Sequence, residues 1–214
     1  MTRKRTFHPS SYYHVIMRGN NRQPIFSSKE DMFELRRAFL HVYHRYPFQM
    51  LAFCFMTNHY HLLIKTDGAP LHKIMALVNR RYSDSFSKRY SHIGRIYQKR
   101  YFAREVNSRF GLLQVSSYIH RNPIETKVPM VERLEDYPYS SFPSYWSEEK
   151  PALPFLNLEL LQTLVPAPFE KTNIGYCKYC LTHRQKVEED SHLEEMEPPV
   201  VPVSDILSVD HHYF

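Results

Sequence analysis

Between residues 12 and 106 the apolar residues change period repeatedly, from alternation to a helical stripe and back, in the order strand, helix, strand, strand, helix, strand. The first strand spans Tyr12 to Arg18 and runs into a Gly19-Asn20-Asn21 turn. A helix capped at Ser27 or Ser28 follows, with Met32, Leu35, Phe39 and Val42 on one stripe, and it ends near Tyr46-Pro47. Strands from Gln49 to Met56 and from His59 to Thr66 flank Thr57-Asn58, a hairpin turn or the start of the second of them. A helix from Pro70 to Tyr90 buries Leu71, Ile74, Leu77 and Val78; Gly94 breaks it, and Ile96 to Val106 reads as a last strand. This order predicts an α+β, ferredoxin-like βαββαβ fold. Its antiparallel sheet carries both helices on one face, has the first and third strands at its centre, and leaves the other face free.

That free face has chemistry assigned to it by the same pattern. His59 and His61 are two apart on a strand, so both imidazoles leave the sheet on one side, and neutral imidazole is a good ligand for divalent metals. The segment Arg109 to Asn122 supplies a further helix to cover the face, and Pro123 is expected to end it. On that helix Tyr118 and Asn122 stack four apart, beside an apolar stripe of Leu112, Val115 and Ile119. Tyr118 reads either as a nucleophile brought to a metal-bound phosphate or as a core tyrosine, and Asn122 as an oxygen ligand or a helix cap. A phenol ionises at about pH 10, so a nucleophilic Tyr118 needs activation by the metal or by a base. His120 is a candidate base, although it points about 200° around the helix from Tyr118.

Charge is unevenly placed. Residues 1–150 carry 24 Lys and Arg against 12 Asp and Glu, while residues 151–214 carry 4 against 10. The first part suits a polyanionic partner and the second does not. Tyrosines interleave with cations in Arg80-Arg81-Tyr82, Lys88-Arg89-Tyr90 and Lys99-Arg100-Tyr101, which points to nucleic acid, with cations on phosphates and rings on bases. Expected DNA contacts are Arg18, Asn20, Asn21 and Arg22 after the first strand, then Lys99, Arg100 and Arg121, most of them to phosphate. Three cysteines, one of them Cys54 in an apolar strand, fit a reducing cytoplasm. No apolar run approaches the roughly 18 residues that would span a bilayer, and the basic start MTRKRTF has no apolar stretch behind it, so neither membrane anchoring nor secretion is expected.

Five segments together resemble the REP-associated tyrosine transposases of the HUH single-strand nuclease superfamily: YHVIMRGNNRQPIF (13–26), FCFMTNHYHLLIKT (53–66), GRIYQKRYFAREV (94–106), SYIHRNP (117–123) and DYPYSSFPSY (136–145). The resemblance covers about residues 12–145 and is carried above all by NHYHLL with YIHRNP. It implies metal-dependent cleavage and rejoining of single-stranded DNA, with His59 and His61 as ligands to Mg²⁺ or Mn²⁺ and Tyr118 as the nucleophile that forms a 5′-phosphotyrosine. Related transposases carry a glutamine one helical turn after the tyrosine as third ligand; Asn122 stands there in this chain. The implied substrate is a palindromic hairpin with a short single strand beside it. A monomer follows if the Tyr118 helix packs on its own sheet, a homodimer if it docks on a partner's. The alternative function is a module that binds structured nucleic acid without catalysis. A zinc hydrolase is disfavoured because no H-E-x-x-H occurs.

The catalytic domain is expected over 1–150, a helical extension over 151–186 with helices at Leu156 to Leu164 and Asn173 to Lys186, and an acidic tail over 187–214. Residues 187–204 hold six acids and three prolines, a disorder-prone composition that could compete with DNA for the basic domain. Cys177, Cys180 and His183 form C-x2-C-x2-H, but a zinc module normally brings a second ligand pair, and a helix is the preferred reading.

Overall fold

The computed structural model describes residues 7–8, 11–147 and 153–182, so the acidic tail and His183 lie outside the described residues. Strands β1 (Tyr12–Arg18), β2 (Phe48–Phe55), β3 (His59–Thr66) and β4 (Phe102–Val106) form one sheet in the order β2-β3-β1-β4, with every neighbouring pair antiparallel. Helices α1 (Lys29–Arg45) and α2 (Leu71–Tyr90) cover one face, and α3 (Arg109–Glu125) crosses the other. This is the ferredoxin-like arrangement, with β1 and β3 central.

Register decides which side chains share a face. Tyr13, Val15 and Met17 pair with Ile64, Leu62 and Tyr60 and pack under α1 and α2. Tyr60 is fully buried, meets the Phe39 ring of α1 edge-on at 6.2 Å, and donates its hydroxyl to Asn79 Oδ1 of α2 at 2.6 Å. Burying such a ring is worth roughly 2–3 kcal/mol, and the bond to Asn79 spares the buried hydroxyl its desolvation penalty. The alternate residues, His14, Ile16 and Arg18 opposite Leu63, His61 and His59, face α3.

Helix α1 starts in a capping box: the Asp31 carboxylate accepts from the Ser27 and Ser28 backbone N–H groups at 2.8 and 3.2 Å. The same buried carboxylate accepts from the Tyr90 hydroxyl at 2.8 Å and pairs with Arg89 at 3.5 Å, tying the end of α2 to the start of α1. The tyrosine triplets are thereby corrected. Tyr82 is core, donating to the Ile25 carbonyl, Tyr101 is buried, and Tyr90 serves this helix junction, so their rings do not form an exposed stacking row.

Three element boundaries depart from expectation. The last strand covers only Phe102–Val106, because Ile16 pairs with Phe102 while Gly19 bridges Tyr97, so Gln98 to Tyr101 bulge opposite Met17 and Arg18. Helix α3 continues through Pro123 to Glu125; an Arg121–Glu125 ion pair at 2.7 Å spans the proline, and the Asn122 side chain gives the Tyr118 carbonyl a donor at 2.9 Å. In the extension, Phe155 and Asn157 instead exchange backbone bonds with Met50, at 2.7 and 2.9 Å, and shield the β2 edge before α5 (Glu159–Leu164) begins. Helix α6 follows over Asn173–Thr182, with residues 183–186 outside the described residues. Short α4 (Phe142–Trp146) and α6 pack against each other, and α6 also packs on α3.

Candidate active site

The central strands and α3 bring four rings together. The His59 and His61 rings lie 4.9 Å apart between centroids and nearly perpendicular, and the Tyr118 ring meets His61 at 5.5 Å, edge to face. The fourth ring, His14 on β1, stacks on His61 at 5.3 Å and reaches Tyr118 at 6.0 Å. Because α3 lies on its own sheet, the imidazoles and the tyrosine of a single chain meet.

The protonation state of His59 follows from its neighbours. Asn58 Nδ2 donates to the Arg22 carbonyl at 3.0 Å, which leaves Asn58 Oδ1 as an acceptor, and His59 Nδ1 lies 2.6 Å from it. His59 therefore carries its proton on Nδ1, and its Nε2 lone pair is left for a ligand. His61 Nδ1 stands 3.1 Å from His14 Nε2, so His14 can accept the His61 proton in the same way and leave His61 Nε2 as a donor to a cation. Burial pushes His59 down to about 3, with the nearby Arg18 charge adding to this and a hydrogen bond to Asn122 opposing it. Burial, then His59, His14 and Arg18, holds His61 well below the ordinary histidine range, and burial with Arg104 lowers His14 to about 4. All three are neutral at pH 7, as metal ligation requires of His59 and His61.

Asn122 joins this group through His59. Its amide nitrogen donates to the Tyr118 carbonyl, which leaves Oδ1 to meet His59. By intrinsic affinity two imidazoles and one amide oxygen suit zinc or copper better than magnesium, so a Mg²⁺ or Mn²⁺ ion, as the family resemblance implies, would need water and substrate phosphate oxygens to complete its shell. Among the described residues no three His, Cys, Asp or Glu side chains converge to hold a metal alone.

Among the expected DNA contacts, Arg18 stands beside the imidazoles, Asn20 and Asn21 are exposed on a 3-10 turn (Asn20–Arg22), and Lys99 and Arg100 are exposed on the bulge before β4. Arg22 is half-buried and contributes its carbonyl to the Asn58 arrangement. Arg121 does not face outward. Its guanidinium pairs with Glu125 and donates to the Cys180 and Leu181 carbonyls at 2.8 and 3.0 Å, so it fastens α3 to α6. His120 is likewise no base for Tyr118. It is fully buried, bonded to Ser141 Oγ at 2.7 Å and to the Tyr176 hydroxyl at 2.9 Å, and burial pushes it down to about 3.

Two residues of the site escape a sequence reading, His14 and Asn58. His14 alternates with Arg18 on β1, so its face was readable, but only the β1–β3 register brings it to His61. Asn58 reads as a turn residue, the role its type commonly has. Gly19 also belongs here. It donates its N–H to the Asn58 carbonyl at 2.8 Å, and a Cβ there would meet the Gln23 carbonyl and sit 2.9 Å from the Ile25 side chain.

The fold and site define an α+β protein whose ferredoxin-like sheet holds paired imidazoles against a helix-borne tyrosine. Residues 8–122 match the family described as "Transposase IS200 like", and the chain belongs to that family of enzymes. A protein of Haemophilus influenzae described as a candidate REP-associated tyrosine transposase is 29% identical over 121 residues, which are 51% of this chain and 67% of the relative. The solved structure of a REP-associated tyrosine transposase bound to a REP hairpin superposes with a TM-score of 0.56 at 19% identity, over 69% of this chain and 87% of the other. The family resemblance drawn from NHYHLL and YIHRNP is thus borne out, and the fold with it. Among the described residues no helix is long and apolar enough to cross a membrane.

Proposed function

We propose that this transposase cleaves and rejoins single-stranded DNA beside a hairpin, with Tyr118 as nucleophile and His59, His61 and Asn122 holding Mg²⁺ or Mn²⁺. The observation that carries the reading is the Tyr118 ring 5.5 Å from His61, beside two imidazoles whose Nδ1 atoms are held by Asn58 and His14, with Asn122 meeting His59 from α3. A bound divalent ion would supply Lewis-acid stabilisation of charge on the scissile phosphate. The Tyr118 oxygen forms the new bond to phosphorus and the bond to the 3′ oxygen breaks, giving a 5′-phosphotyrosine and a free 3′-OH. An incoming 3′-OH reverses the step on another strand, so joining needs no nucleotide cofactor. Arg18, beside the imidazoles, and Lys99 and Arg100, on the neighbouring bulge, suit phosphate contacts. The hairpin substrate is supported by the REP hairpin bound in the structural relative.

The test uses labelled hairpins from the DNA flanking the gene, with Mn²⁺, the wild type and Tyr118→Phe. The reading expects a protein-linked 5′ end on a denaturing gel with the wild type and none with the variant. If both proteins bind the hairpin and neither cleaves it in Mg²⁺ or Mn²⁺, a binding module without catalysis is the better account.

A further inference from the structure

One segment that carries the family resemblance, DYPYSSFPSY (136–145), supplies none of the site's rings or proposed ligands, and it lies beyond residue 122, where the family match ends. It runs along the outer edge of β2. The Phe55 N–H donates to the Tyr139 carbonyl at 2.9 Å, the Ser141 N–H to the Phe53 carbonyl at 3.0 Å, and the Tyr137 hydroxyl to the Phe55 carbonyl at 2.7 Å. Register gives this edge its importance, because Cys54, between Phe53 and Phe55, pairs across with His61 on β3. Residues 137–141 are thereby fixed to the point of the sheet that neighbours a proposed metal ligand.

From this edge a buried polar chain rises to α3. Ser141 Oγ accepts from the Phe53 N–H at 2.9 Å and stands 2.7 Å from His120 Nε2, while His120 Nδ1 lies 2.9 Å from the Tyr176 hydroxyl of α6. Ser141, His120 and Tyr176 are all fully buried. His120 is two residues from Tyr118 and leaves the helix on a different side, so bonds to it can set the rotation and depth of α3 without touching the phenol. Little else holds this stretch: Ile119 is the one fully buried apolar side chain between Leu113 and Pro123, and the buried Ser116 and Ser117 are small. Apolar packing is non-directional and tolerates sliding, whereas a buried hydrogen bond has a set length and is costly to leave unmade.

We propose that Ser141 and His120 are positioning residues for the cleavage step: the bond between them fixes α3 over β2 and β3, and with it the approach of Tyr118 to His61, whose rings stand 5.5 Å apart. Tyr176 buttresses His120 from α6, where its ring also packs on Tyr145 at 4.9 Å, so residues beyond the matched region complete the geometry of the site. The inference rests on the reading of Tyr118 as nucleophile and adds to it the device that aims the phenol. In-line attack is sensitive to such aim, since a misplacement of about 1 Å can cost about 100-fold in rate.

The experiment follows covalent adduct formation in a single turnover, with Mn²⁺ and a labelled hairpin, in wild type, Ser141→Ala, His120→Asn and His120→Gln, each below its own melting range. Glutamine ends where Nε2 stands and keeps a partner for Ser141, whereas asparagine reaches only as far as Nδ1. The proposal expects Ser141→Ala and His120→Asn to lower the rate constant about 10–100-fold, with hairpin and Mn²⁺ affinities within about twofold of wild type, and His120→Gln to stay within about threefold. The nuclear Overhauser effect between the Tyr118 and His61 rings should weaken in the same two variants and persist in His120→Gln. Wild-type rate constants with smaller amplitudes would mean that the bond serves stability alone and would overturn the proposal, as would a joint loss of rate and both affinities. If the wild type forms no adduct, the nuclease reading falls by itself and the ring contact decides the rest: weakened in Ser141→Ala it upholds the positioning role, and unchanged there it overturns that role too.

Discussion

Replacing Asn58 with alanine should unlock His59. The side chain makes two bonds, accepting from His59 Nδ1 at 2.6 Å and donating to the Arg22 carbonyl at 3.0 Å. At roughly 0.5–1.5 kcal/mol net for each, the loss is about 1–3 kcal/mol of stability. The effect on the site is separate: without its acceptor, His59 can move its proton to Nε2 and withdraw the lone pair a metal needs. Loss of such a support typically costs about 10–100-fold in metal affinity. Asn58→Asp separates the two effects, because it keeps an acceptor for His59 while turning an oxygen toward the Arg22 carbonyl. Nitrogen-15 NMR of histidine-labelled protein at pH 7 reports the tautomer, and titration calorimetry with Mn²⁺ reports affinity. Alanine should lose both the Nδ1–H tautomer and the affinity, whereas aspartate should keep both and lose only stability. An alanine variant with the wild-type tautomer and wild-type Mn²⁺ affinity would refute the reasoning.

His120 is buried neutral, with its folded value at about 3 against 6.5 in the unfolded chain, so the unfolded state binds the extra proton as pH falls below 6.5. Its contribution to stability therefore declines from pH 7 to pH 5 by on the order of 2 kcal/mol, and His120→Gln should show a correspondingly flatter pH dependence in urea melts. An unchanged pH slope in the variant would mean that His120 is not buried neutral. Gly19→Ala should lower thermal stability by about 1–3 kcal/mol through overpacking and displace Asn58, read as a lower Tm with weaker Mn²⁺ binding; an unaffected Tm would contradict the close approach at Gly19. Arg100→Ala should reduce the slope of log affinity against log salt by about 1 with little change in Tm. Arg121→Ala should instead lower Tm and leave that slope unchanged, since its charge is spent on Glu125 and the α6 carbonyls.

Local pattern was enough to read the sheet, because each strand alternates and each helix carries its stripe, and β1, α1, α2 and β3 begin and end within a residue of where periodicity puts them. What pattern missed depended on partners distant in sequence. Pro123 was expected to stop α3, but the Arg121–Glu125 pair and the Asn122 side chain support the turn around it. The cation–tyrosine triplets look alike in one dimension, yet Tyr82 turns into the core while Arg80 and Arg81 stay exposed. Similarly, Arg121 and Arg100 are both cations near the predicted site, and only the packing of α6 shows that one of them is structural. The imidazole pair and Tyr118 were legible because period two and period 3.6 place them; His14 was not, since it joins through strand register.

The measurement closest to the central claim is tandem mass spectrometry of the protein–DNA adduct trapped with Mn²⁺ and the hairpin, after digestion with nuclease and trypsin. Cleavage after Arg109 and Arg121 releases residues 110–121, in which Tyr118 is the one tyrosine. The account predicts a nucleotide phosphate on Tyr118, attached through the 5′ end. An adduct on any other residue, or a phosphate linked through the 3′ end, would contradict it.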